Sequence, residues 1–168
     1  MNWDALGASA EAIGALAIII TLIYLSVQVR QTKLASADTN RLTRASGVRD
    51  LILLGLQDEG LRGVNFAMYG GEYEKYAAEF SERFGFSKKD VQVVDLITQY
   101  YLWLHWGQFS TTMTPADQLE LRNVASNFYN VPAIRYAWEN SLLTRPPMDA
   151  EFAAFIDSVL EKVTADSN

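Results

Sequence analysis

The sequence predicts an all-α protein: an N-terminal transmembrane helix and a helical stalk leading into a compact helical-bundle domain. Three observations predict it. Residues 12–29, AIGALAIIITLIYLSVQV, run for eighteen residues without a charge, close to the roughly twenty mainly apolar residues a helix needs to cross a bilayer core. Beyond that run, apolar residues recur at helical spacing and no segment alternates as a strand would. Helix start signals punctuate the remainder, with no repeat, low-complexity tract or glycine-rich phosphate loop. The expected division is an anchor over 1–29, a basic juxtamembrane stalk over 30–57 and a helical domain over 58–168.

The first element is the span. With its lead-in from Trp3 it reaches about 39 Å at 1.5 Å per residue, enough for the hydrocarbon and one headgroup layer, with Trp3 placed as an interfacial anchor. A cleaved signal peptide fails on order, because cations should precede the apolar run and small residues follow it. In this chain Asp4 and Glu11 come first, Ala8-Ser9-Ala10 precedes the run, and Arg30 and Lys33 follow it.

Charge then sets the orientation. The overall charge of −6 divides into −2 over residues 1–29, +4 over 30–49 and −8 over 50–168. A basic flank after the span and an acidic N-terminus place the N-terminus outside and the domain in the cytoplasm by the positive-inside rule. Arg30 and Lys33, with Trp3, are positioned to touch lipid headgroups, each cation contributing about 1 kcal/mol near an anionic surface. The acidic domain excludes nucleic acid as a partner, since phosphates require clustered Lys and Arg. The absence of cysteine excludes disulfides, thiolate metal sites and a cysteine nucleophile.

The span also has a face. Alternating steps of three and four from Asp4 reach Gly7, Glu11, Gly14, Ile18, Thr21, Leu25 and Gln28, while Ile13, Leu16, Ile19, Ile20, Leu22 and Ile23 occupy the other sides. Helices in lipid associate through close contact at small residues and through side-chain hydrogen bonds. Gly7, Glu11, Gly14, Thr21 and Gln28 are therefore the expected helix–helix contact. The same stripe can be read as a pore face, with Glu11 as a selectivity ring in a homo-oligomeric channel; Ile18 and Leu25 would then form tight apolar constrictions. A carboxylate at the depth of Glu11 costs several kcal/mol unless protonated, paired or wetted. It reads first as a headgroup-level acid that keeps the N-terminus outside, and second as an ion-facing group in an assembled bundle.

After Arg30 the segment to Asp50 is helix-compatible but poor in large apolar residues, with Leu34, Leu42 and Val48 spaced along it. It reads as a solvated stalk, followed by an apolar run at 51–56 that docks on the domain. Asp58-Glu59-Gly60 and Gly70-Gly71 read as breaks. Ser87 with Asp90 starts a helix running to about Ser110; Thr114-Pro115-Ala116-Asp117 starts another; Pro132 opens a third, ending before Arg145-Pro146-Pro147. The last runs from about Asp149 to Val163, with Phe152, Phe155, Ile156, Val159 and Leu160 on one face.

Within the domain, Tyr100, Tyr101, Trp103, Trp106 and Phe109 go around their helix and read as core rather than as a partner surface. His105, the only histidine, lacks a second ligand at metal spacing and reads as a buried, hydrogen-bonded side chain. Glu72, Glu74, Glu79 and Glu82, interleaved with Tyr73, Tyr76 and Phe80, read as the solvated face of an amphipathic helix. Asp95, between Gln92 and Gln99, reads as part of a polar stripe, and no general acid is assigned. No catalytic, cofactor-binding or metal-binding residue is expected, and no cofactor.

The stretch Glu11-Ala12-Ile13-Gly14 through Thr21-Leu22-Ile23-Tyr24-Leu25, then Gln28-Val29-Arg30-Gln31-Thr32, resembles a group of uncharacterised bacterial inner-membrane proteins. These have a single N-terminal span, a Y-L-x-x-Q-x-R-Q-type exit and a small helical domain. Ile134 to Trp138 and Phe152-Ala153-Ala154-Phe155-Ile156-Asp157 are similar to that group's ending, apart from Tyr136-Ala137-Trp138 standing where a tryptophan pair is common. The resemblance covers both ends well and the middle loosely. It implies the fold and a bacterial inner-membrane location, and carries over no activity. The functional expectation is a membrane-anchored, non-enzymatic scaffold that assembles through its span. Its partners would be membrane lipid and either further copies of itself, as a homo-oligomer, or a larger membrane-protein complex in which it is an accessory subunit.

Overall fold

The structure, a computed structural model, describes residues 3–111 and 113–166, with side chains over 7–8, 11–111 and 113–161. Among these residues there are seven helices and no strand, so the protein is all-α. The chain divides into two compact units, 1–39 and 40–168. Helix α1 (Trp3–Gln57) contributes to both.

The first unit holds the apolar part of α1, which is long and apolar enough to cross a membrane and is exposed among the described residues. Its threonine hydroxyls are satisfied locally: Thr21 and Thr32 donate to the carbonyls of Ala17 and Gln28 at 2.8 and 2.9 Å. That bond removes a polar hydrogen from the helix surface, which an apolar solvent requires.

In the second unit the end of α1 joins α2 (Glu59–Ala67), α3 (Gly70–Phe84), α4 (Lys88–Phe109), α5 (Pro115–Tyr129), α6 (Pro132–Asn140) and α7 (Ala150–Asp166). The helices begin where the start signals stand. Ser87 with Asp90 and Thr114 with Asp117 each form a reciprocal capping box, and Pro132 opens α6. Asp58 separates α1 from α2 and accepts a bond from the Leu61 amide at 2.9 Å. The glycine pair expected as a break is instead the first turn of α3. The turn lies just before it, and Gly70 adopts a φ of +61° that side chains disfavour.

Helix α4 is central, packing on α3, α5 and α6, while α5 packs on α7. Two core clusters flank it. One gathers Ile52, Phe66, Tyr73, Tyr76, Phe80, Val91 and Leu96; the other gathers Leu102, Ala125, Tyr129, Trp138, Phe152 and Ile156. The aromatics expected as the buried centre of α4 stand at the margins. Tyr101 is exposed and Tyr100, Trp103, Trp106 and Phe109 are half-buried. The buried positions of α4 are Val91, Asp95, Leu96, Thr98, Leu102, His105 and Gly107. Bulk explains the difference: four large rings within seven positions cannot all point into two small cores, so they cover the edges.

Residues 40–50 are not solvated throughout, since Ala45 is buried and Val48 packs on the first core, while the run at 51–56 docks as expected through Ile52 and Leu56. Arg41 donates to the Ser110 carbonyl at the end of α4, at 2.6 Å, and Arg62 donates to Gly55 and Leu56 carbonyls near the end of α1, at 3.3 and 3.4 Å. Each cation sits where a helix presents its negative end.

Candidate functional site

The residues expected as a helix contact lie on one uninterrupted helix. Gly7, Gly14, Thr21 and Gln28 are seven apart, and a straight α-helix drifts only about 20° per heptad, so they share a face within the first unit. All are exposed, as is Glu11. A side chain added at Gly7 or Gly14 meets nothing within 4 Å. Thr21 has used its hydroxyl hydrogen on Ala17 and offers a neighbouring helix only an acceptor. Arg30 and Lys33 are exposed one turn beyond. The Trp3 side chain lies outside the described residues.

A second exposed surface, which the sequence reading did not single out, is α2. Its inward side holds Arg62 and Phe66, whereas Leu61, Val64 and Met68 are 48, 64 and 72% exposed. The amphipathic pattern is therefore inverted, with the cation inside and an apolar i, i+3, i+7 line facing outward. Leu61, Leu51 and Tyr69 also flank a groove of about 380 Å³ over Ile52, Gly55, Leu96 and Gln99.

The interior holds one polar cluster that sequence reasoning missed. Asp95 is wholly buried. Tyr73 donates to one carboxylate oxygen at 2.7 Å and Tyr76 to the other at 2.9 Å. The hydroxyl of Ser141, the residue ending α6, favours the ionised form of both Asp95 and Tyr76. Burial pushes the Asp95 carboxyl up to about 6, against the downward pull of these three hydroxyls. Burial and the facing carboxylate hold both tyrosine hydroxyls protonated, far above the ordinary phenol range. The cluster joins α3, α4 and the end of α6. It can bind a proton, but Asp95 presents no exposed surface to a substrate. Its one local trace in the sequence is that Tyr73 and Tyr76 share the inner face of a helix whose outer face is acidic, and nothing in that pattern names Asp95.

His105 is buried as expected. Its Nδ1 lies 3.2 Å from the Tyr129 hydroxyl, and burial lowers its pKa to about 4, so the ring is neutral. Asp157 brings together the two segments that carried the C-terminal resemblance: it accepts from the Trp138 indole at 2.9 Å and pairs with Arg145 at 2.6 Å.

Comparison with protein families, curated proteins and solved structures finds no match to this chain.

Proposed function

We propose that this chain is a membrane-anchored, non-enzymatic scaffold of the bacterial inner membrane. Its N-terminus lies outside, its helical domain in the cytoplasm, and it assembles with further copies through Gly7, Glu11, Gly14, Thr21 and Gln28. The observation that carries this reading is the unburied α1. Between Ile13 and Val29, eleven large apolar side chains are 49–69% exposed and need a surrounding of lipid or other helices. In lipid, small residues on one face favour helix contact there. The outward apolar line of α2 supports an interaction role for the domain as well, since contiguous apolar surface on a domain marks a partner site.

The test is native mass spectrometry of the particle extracted in mild detergent. A multiple of the 18.8 kDa chain that falls to one copy in Gly14→Leu is expected. A wild-type monomer, or an assembly unchanged by Gly14→Leu, overturns the contact face. A particle containing other proteins makes the chain an accessory subunit instead.

A further inference from the structure

Helix α3 is bounded by the only two positive-φ residues described in the chain, Gly70 at +61° and Gly85 at +74°. Between them it attaches to α4 through a polar clasp: the Tyr73 and Tyr76 hydroxyls, one helical turn apart, occupy the two oxygens of Asp95. We propose that this clasp is proton-operated, gripping α3 when Asp95 is protonated and loosening it when Asp95 is ionised.

The geometry gives the direction. An ionised carboxylate is stabilised in such a site only by the dipoles it receives, because burial removes its water. The titratable groups around it are Tyr73 and Tyr76 of α3, with Glu74 acting on Tyr73, and Tyr136 of α6 acting on Tyr76. None is a cation. No arginine acts on Asp95; Arg62 of α2 donates to the α1 carbonyls, Arg49 of α1 lies over Tyr100, and Arg83 of α3 lies over Tyr136. Opening α3 withdraws two of the three hydroxyls and hydrates the carboxylate. Ionisation is therefore easier in the open form, and by linkage the ionised protein opens more readily. The protonated form stays attached to α3: the new Asp95 O–H can donate to one tyrosine oxygen while the other tyrosine hydroxyl still donates to the carboxyl. The direction of the Asp95 shift agrees.

The experiment is hydrogen exchange by mass spectrometry on the full chain in detergent, at about pH 5 and about pH 7.5, corrected for intrinsic exchange. Peptides within 70–84 should open more at the higher pH by about 10-fold, the change between those two pH values for a carboxyl that titrates near 6 when closed and near 3.8 when open. Asp95→Asn should abolish that dependence, and His105→Gln should leave it intact, since His105 packs with Tyr129 and Phe128. If Asp95→Asn does not fold, Tyr73→Phe serves instead: with one donor fewer, the midpoint of the pH dependence should move upward. Equal opening at both pH values in the native chain, dependence that survives Asp95→Asn, or an unmoved Tyr73→Phe midpoint overturns the clasp.

Discussion

Gly107 sets how closely α1 approaches α4. A β-carbon built there would lie 3.1 Å from the Ala45 β-carbon and 3.7 Å from a Leu42 methyl, so two small residues meet where larger ones would separate the helices. Gly107→Val should destabilise the domain by about 1–3 kcal/mol through overpacking, read as a lower urea midpoint; an unchanged midpoint would mean that α1 contributes nothing there. Such a contact is invisible in the sequence, because nothing local to Trp106-Gly107-Gln108 names its partner sixty residues away. Asp95 was hidden for the same reason. Its neighbours at helical spacing, Gln92 and Gln99, suggested a solvated stripe, whereas its hydrogen-bond partners lie on α3. His105 was legible, since a lone histidine among aromatics has few other places to go.

The helices themselves were largely legible, because their signals are local. Ser87, Thr114 and Pro132 act within one turn of their own position, and α4, α5 and α6 begin there. Helix α2 was not, because a nine-residue segment with an arginine on its inner side reverses the usual pattern. That reversal makes a prediction of its own. Val64 and Met68 keep most of their surface exposed on folding, so their apolarity adds little to stability. Replacing each by Gln should move the unfolding free energy by no more than about 0.5 kcal/mol, measured by urea titration. Buried Phe66 provides the contrast: Phe66→Ala should cost about 3–5 kcal/mol. A loss above about 1 kcal/mol at Val64 or Met68 would show that the line is covered within the folded chain rather than free for a partner.

For the whole molecule, two buried groups pull the pH dependence of stability in opposite directions. His105 falls from an ordinary 6.5 to about 4 on folding, so between those values the unfolded chain holds the extra proton and stability declines as pH falls. Asp95 rises from 3.8 to about 6, so the folded chain holds the extra proton and stability declines as pH rises through that window. Each effect is on the order of 3 kcal/mol at about 1.4 kcal/mol per unit, and between about pH 4 and 6 they nearly cancel. The native chain should therefore show a urea midpoint almost flat across that range, followed by the fluorescence of Trp103, Trp106 and Trp138. Asp95→Asn leaves histidine alone, and the midpoint should then climb with pH. His105→Gln leaves the carboxylate alone, and the midpoint should fall with pH. Parallel slopes in the two variants would contradict the opposed burial terms. The cancellation holds only for global unfolding, which frees both groups. Opening α3 alone frees Asp95 and leaves His105 buried beside Tyr129, so a proton-sensitive helix can sit in a domain whose overall stability hardly responds to pH.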